Sequence, residues 1–512
     1  MPAFLSALRR RPAAAVLPLA FAVLAAARLH TWNEPLEFDL TSYSVAAREW
    51  RHGRALYAEL WDHKPPALFA AYAAAQALCG MTEASLYLLW LVPACLTAAG
   101  LYAAGAALTR SRLGGVLAAA FWAAVAGDLQ LQANQPNTEV FLNACLVWAF
   151  VCWLRASDGR PRPWTFAALG LSMALASLFK PVVFVHAAFG SLAYLAYRVE
   201  PGAPARAAKH LAVAAAAGLA PWLLVAGAFL LSGGYVDFVA AVFDYNRFFS
   251  GLWSANVRMG LSLSKLVPAA MANVTPLLGL AALGLALGRW KKPRPRDAQL
   301  LAYAAATFLA VCLPGRFYPH YYQLWLPALC LAGAWALRRL AARLRPRRKP
   351  ALLRLGAASV LLLVLLQAPS YRLEPEQWTR AKYPHERFVE VRELAFDIER
   401  LLEPGERFYQ WGKETGLYFY SKRRPPSGIL FHEPLRAGPL TEPLRARLLA
   451  DLEAARPELL VLASDAPWPP PLEAWVAARY EPLPESWQPR GFRYLGLKGG
   501  KLLARAQAAR MD

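Results

Sequence analysis

Stretches such as "AAAVLPLAFAVLAAA" (13–27) and "ASVLLLVLLQA" (358–368) are apolar and carry no charge, and the chain has many like them. In hydrocarbon a backbone can satisfy its N–H and C=O groups only as an α-helix or a closed barrel. Runs this continuous lack the alternation of a barrel strand and predict helices. Of the 512 residues, 57% are hydrophobic, more than a soluble chain of that length carries. The reading is a polytopic α-helical membrane protein. Its candidate spans are about 13–29, 84–108, 114–127, 138–154, 164–180, 182–198, 211–232, 265–288, 298–313, 323–340 and 351–369.

One segment decides the topology. Residues 66–80, "PALFAAYAAAQALCG", follow "WDHKPP" and end on Gly80. They are too few to span and read as an interfacial or re-entrant helix. With 66–80 kept on one side, the basic clusters fall together. They are Arg9–Arg11, "TRSR" (109–112), "RASDGRPRP" (155–163), "RVEPGAPARAAKH" (198–210), "GRWKKPRPRD" (288–297) and "RRLAARLRPRRKP" (338–350). The positive-inside rule makes that side cytoplasmic. This predicts about eleven spans, a cytoplasmic N-terminus, an uncleaved first helix and an external C-terminal tail. The net charge of +22 then belongs to topology and to anionic headgroups, and no nucleic-acid partner is expected.

The tail, 370–512, is rich in Pro, Glu and Arg and has no spanning run. "FVEVRELAFDIERLL" (388–402) and "LTEPLRARLLADLEAA" (440–455) predict amphipathic helices. "RFYQWG", "SGILF", "ELLVLAS" and "FRYLGL" predict short strands. Residues 370–512 are therefore read as a small external α/β domain, and 1–369 as the membrane module. All six cysteines lie in apolar segments, so neither a disulfide framework nor a cysteine metal site is expected.

The polar residues that suggest chemistry collect in the outer loops. The first, 30–65, holds Asp39, with Ser42 read as an N-cap. The second, "GDLQLQANQPNTEVF", is bracketed by Asp128 and Glu139. The third, 233–264, carries Asp237 and Asp244, read as solvated charges. The fourth, "PGRFYPHYYQLWLP", carries Arg316 and His320. Lys64, Lys180 and Arg316 each end an apolar segment, where a cation can meet a phosphate. Lys180 reads more simply as a snorkelling side chain.

The run Phe38-Asp39, Tyr43, Ala46, Gly53, Leu56-Tyr57, Asp62-His63-Lys64-Pro65-Pro66 and Gly80 resembles the first external loop of a bacterial glycosyltransferase group. These are the lipid-phosphosugar-dependent enzymes of the GT-C fold, related to protein O-mannosyltransferases and lipid A aminoarabinose transferases. Asn137-Thr138-Glu139, "GRFYPHYYQLWLPALCLAGAW" and "QWGKETGLYFYSKRRPPSG" resemble later motifs of that group. The resemblance implies a sugar carried on polyprenyl phosphate and an inverting transfer to an acceptor hydroxyl outside the cytoplasm. The acceptor is a lipid, a glycan or a protein. Asp39 takes the role of general base by this resemblance, and Lys64 that of donor-phosphate ligand. Arg316 and His320 are further phosphate-binding candidates. Many relatives have Asp-Glu where this chain has Asp39-Leu40, so Glu139 is the candidate second acid. No cofactor is assigned, and a divalent metal is left open. The alternatives are a lipid or glycan transporter, which would place ionisable residues near the bilayer midplane, and a non-catalytic envelope assembly protein.

Overall fold

A computed structural model describes residues 12–158, 162–197, 203–288, 293–344 and 349–509. Arg9–Arg11 and parts of four other basic clusters (159–161, 198–202, 289–292 and 345–348) lie outside the described residues.

The described chain opens with α1 (Pro12–His30), α2 (Phe38–Arg51) and α3 (Pro66–Cys79). The helical body continues with α4 (Glu83–Thr109), α5 (Arg112–Val125), α6 (Thr138–Ala156), α7 (Pro163–Phe179), α8 (Phe184–Ala196) and α9 (Ala203–Leu231). Among the described residues, five helical segments are long and apolar enough to cross a membrane: Ala13–His30, Glu83–Thr109, Thr138–Ala156, Pro204–Leu231 and Ala269–Ala286. Small residues let these helices approach closely. A Cβ on Gly105 would lie 2.6 Å from the Gly114 carbonyl oxygen, which sets the α4–α5 contact.

Helix α3 is 14 residues long, about 21 Å at 1.5 Å per residue and short of a roughly 30 Å hydrocarbon core. Its first residue is Pro66, with Pro65 as the preceding cap residue, since proline fits the first helical turn at no hydrogen-bond cost. Both ends of α3 meet the same stretch of the tail. Before it, the Trp61 N–H donates to Gly428 O at 3.1 Å. After it, Lys422 Nζ donates to Met81 O at 2.9 Å. The segments on either side of α3 are thus both held by residues 422–428.

The 233–264 segment is largely helical. It forms α10 (Tyr235–Val239), a π-helical turn (Ala240–Tyr245), α11 (Asn246–Ser250), α12 (Trp253–Gly260) and α13 (Leu263–Leu266). Then follow α14 (Thr275–Ala286), α15 (Pro295–Cys312), α16 (Trp325–Arg343) and α17 (Lys349–Gln367). Arg296 pairs with Asp158, and Arg339 pairs with Asp297 at 2.7 Å.

The tail contributes α18 (Pro375–Lys382), α19 (Phe388–Leu401), β1 (Phe408–Trp411), α20 (Gly416–Tyr420), α21 (Thr441–Ala455), β2 (Leu459–Leu462), α22 (Pro470–Arg479), β3 (Tyr480–Pro482), β4 (Arg493–Leu497) and α23 (Lys501–Ala508). The sheet order is β1-β2-β4-β3, with β1 and β2 parallel and the other pairs antiparallel. Val391, Leu394, Ala395 and Ile398 bury one face of α19.

Two local expectations are corrected. Helix α2 begins at Phe38, and Ser42 lies inside it, buried. The extension has a tertiary cause: Phe38 packs edge-on against Phe431 at 5.1 Å, and Thr415 Oγ1 donates to Phe38 O at 3.1 Å. "SGILF" is not a strand. Trp61 takes the Gly428 carbonyl, while Tyr409 and Gln410 side chains take those of Ile429 and Leu430.

A Cβ on Gly428 would overlap the Glu59 carbonyl oxygen, and backbone cannot swing away as a flexible side chain can. Gly428→Ala is therefore expected to destabilise the protein by about 1–3 kcal/mol. Thermal unfolding in detergent checks this, and a melting point equal to wild type refutes it.

Candidate active site

A cavity of about 390 Å³ opens between residues 37–64, the segment 132–138 that leads into α6, Lys180 just after α7, the 245–249 and 318–321 segments and the tail. Its wall includes Asp39, Lys64 and His320 of the residues singled out from sequence. It also includes Glu37, Asp62, His63 and Lys180, and from the tail Tyr383, Glu386, Lys413, Phe431 and Glu433.

The "WDHKPP" stretch is tied down at nearly every backbone group. Asp62 Oδ1 accepts the Lys64 N–H at 2.9 Å. Asn246 Nδ2 donates to His63 O at 2.6 Å, and the Tyr57 hydroxyl donates to Lys64 O at 2.7 Å. These bonds fix the Lys64 backbone, and its side chain reaches over the Tyr43 ring, Nζ 5.5 Å from the centroid. The Lys64 ammonium lies 3.2 Å from His63 Nε2. Burial, with Lys64 and Lys180 close by, holds His63 well below the ordinary histidine range, so it is a neutral neighbour. Burial raises the Asp62 carboxyl against the pull of Lys64.

Asp39 sits in the first turn of α2, where the helix dipole favours negative charge. Among the described residues its carboxylate has no hydrogen-bond or ion-pair partner. Glu37 precedes it at the N-cap position and is buried at 7% exposure, with Oε1 accepting from Asn137 Nδ2 at 2.7 Å. Burial, then the Asp39 charge, pushes the Glu37 carboxyl up to about 8.

The other candidates sit differently. Glu139 is buried and does not line the cavity; it pairs with Lys180 Nζ at 2.7 Å and accepts from Thr138 Oγ1 at 2.9 Å. Lys180 is thereby held in the wall, 3.6 Å from the Tyr321 ring centroid, rather than snorkelling toward headgroups. Arg316 is outside the lining; it donates to Phe249 O at 3.0 Å and stacks on the Phe249 ring at 4.1 Å. His320 Nδ1 meets Gln132 Oε1 at 3.1 Å. Asp237 and Asp244 are exposed. Among the described residues, no group of three or more His, Cys, Asp or Glu side chains is placed to hold a metal ion.

Sequence reasoning passed over Glu37 and set Lys180 aside as a snorkelling side chain. Glu37 was legible as the partner of Asp39 in "EFD" only with the helix start placed at Phe38. Nothing in the sequence around Lys180 names Glu139 as its partner, 41 positions earlier.

The tail joins the membrane-embedded part through a buried cluster. Lys382 Nζ lies 2.7 Å from Glu34 Oε2, both side chains fully buried, and 3.0 Å from Asn134 Oδ1. Asn134 Nδ2 donates to Glu34 Oε1 at 2.8 Å.

No protein-family model matches the chain, and no curated protein matches it by sequence. Among solved structures it is similar to ArnT from Cupriavidus metallidurans bound to undecaprenyl phosphate. The two are 15% identical, over 96% of this chain and 98% of that one, with a TM-score of 0.62. The apo form of the same ArnT gives 17% identity over 96% and 99%, with a TM-score of 0.63. Nearly the whole chain follows the architecture of that protein, and the chain is an integral membrane protein of the GT-C fold.

Proposed function

We propose that the chain is an inverting glycosyltransferase that moves a sugar from a polyprenyl-phosphate donor to an acceptor hydroxyl. One observation carries this reading. Asp39, a carboxylate without a hydrogen-bond or ion-pair partner among the described residues, and Lys64, an ammonium beside a neutral imidazole and over the Tyr43 ring, share a cavity lined by residues 37–64 and by the tail. The similar ArnT structure holds undecaprenyl phosphate, which supports a lipid phosphate as the ligand.

In the proposed reaction the acceptor oxygen attacks the anomeric carbon as Asp39 takes its proton. The bond from that carbon to the phosphate oxygen breaks, and polyprenyl phosphate leaves with the electron pair. Lys64 offsets the charge that builds on the leaving oxygen, and Lys180, held by Glu139, adds a second positive charge to the wall. His320 borders the same space, while Arg316 acts on it through Phe249. Attack opposite the leaving group inverts the anomeric centre.

The proposal includes about eleven spans in a bacterial inner membrane, a cytoplasmic N-terminus and an external tail that roofs the site. Lys64→Ala is expected to weaken undecaprenyl phosphate binding by about ten- to a hundredfold, the worth of a hydrogen bond to a charged group. Lys64→Arg is expected to recover only part of it, because the guanidinium fork does not sit where the ammonium does. Native mass spectrometry of the purified protein with undecaprenyl phosphate measures both, and unchanged binding by Lys64→Ala refutes the assignment.

A further inference from the structure

Glu37 faces the same cavity as Asp39, one residue removed, and the reaction above gives it no task. Two carboxylates sharing one poorly hydrated wall ionise together only at a cost. Of the two, Glu37 is the more buried. It occupies the N-cap position without accepting a helix N–H, whereas Asp39 has the first turn behind it. We propose that Glu37 is the second acid of the site, a positioning residue that keeps the proton of the pair so that its one negative charge stays on Asp39. This rests on the reading of Asp39 as the base.

The groups around Glu37 agree with that role. Asp39 and Tyr43 face it from α2, Tyr72 from α3, Asn137 from the second outer loop, and Lys382 and Tyr383 from the tail. The only cation among them, Lys382, is matched to Glu34 in a closed pair. Burial and the Asp39 charge favour the neutral carboxyl, while hydrogen bonds from Asn137 and Tyr383 and the Lys382 charge favour its charged form.

The sign of the pH effect follows. Below about pH 8 Glu37 is protonated and uncharged. Above it, the Glu37–Asp39 pair carries a second negative charge in the wall that holds Lys64, and an anionic phosphate binds less well. Undecaprenyl phosphate binding to the full-length protein is to be measured from about pH 6 to about pH 10. For wild type, affinity is expected to fall about fivefold with a midpoint near 8. Glu37→Gln is expected to lose that limb. Asn137→Ala, lacking a donor to the charged carboxylate, is expected to move the midpoint upward.

Glu414, also raised by burial, to about 7, does not line the cavity, and any limb it causes persists in Glu37→Gln. Equal midpoints in wild type and Glu37→Gln overturn the role of Glu37 alone. Absence of binding at every pH overturns the transfer reading with it. Where Glu37→Gln yields no folded protein, an unmoved midpoint in Asn137→Ala overturns the proposal by itself.

Discussion

Asp39→Asn is expected to lower sugar transfer from a polyprenyl-phosphate donor by about 10²–10⁴-fold, the usual worth of a positioned general base. The substitution keeps the size of the side chain and removes only its ability to hold the acceptor proton. The Asp39 carboxylate has no partner among the described residues, so the change breaks no bond that supports the fold. Undecaprenyl phosphate binding is expected to be kept or tightened by up to about fivefold, because the wall loses one negative charge while the phosphate cradle proposed around Lys64 is untouched. The assay needs purified protein in nanodiscs, a lipid-linked sugar donor and mass spectrometry of the products. Transfer at the wild-type rate by Asp39→Asn would sink the base assignment. Retained or tightened lipid binding with lost transfer would place its effect on chemistry.

The second large effect concerns stability. Lys382 and Glu34 form an ion pair in which neither side chain is exposed. Removing one partner of a buried pair costs about 3–5 kcal/mol, since the other charge stays behind unmatched. Lys382→Ala is expected near the lower end of that range, because the buried Arg28 guanidinium also feels Glu34. Replacing both, as Lys382→Met with Glu34→Leu, is expected to recover much of the loss. Detergent-solubilised membrane proteins commonly unfold irreversibly, so the comparison is of apparent melting points at one scan rate. Melting of Lys382→Ala together with wild type would refute it.

Much of the membrane-embedded part was legible because apolar runs fix helices almost independently of context. Helix α3 was legible too, since two prolines set its start and Gly80 its end. Three of four tail strands and helices α19 and α21 followed from periodicity. Strand β3 was missed because "YEP" is three residues long and carries a proline. It exists because β4 presents an edge for it to pair with.

The site was legible only in part. Asp39, Lys64 and His320 stood out through motifs, and the structure brings them to one cavity. Glu139 and Arg316 stood out for the same reason, yet their side chains are spent on Lys180 and Phe249. That distinction depends on partners 41 and 67 residues away, which local pattern does not encode. The start of α2 shows the same limit, since Phe431 and Thr415 decide it from the tail.

The cavity takes its wall from residues 37–64 and again from 383–433. Synthesis runs from the N-terminus, so the first of these segments is made long before the second exists. In the proposed topology a half-made chain inserts its early helices with Asp39 and Lys64 already in place but no roof above them. Competence then arrives in a single late step, when Lys382 reaches Glu34 and Gly428 closes on Trp61. Such long-range closure is the slow, misfolding-prone part of assembly. Proteolytic surveillance of this protein would meet its most vulnerable form at the end of synthesis.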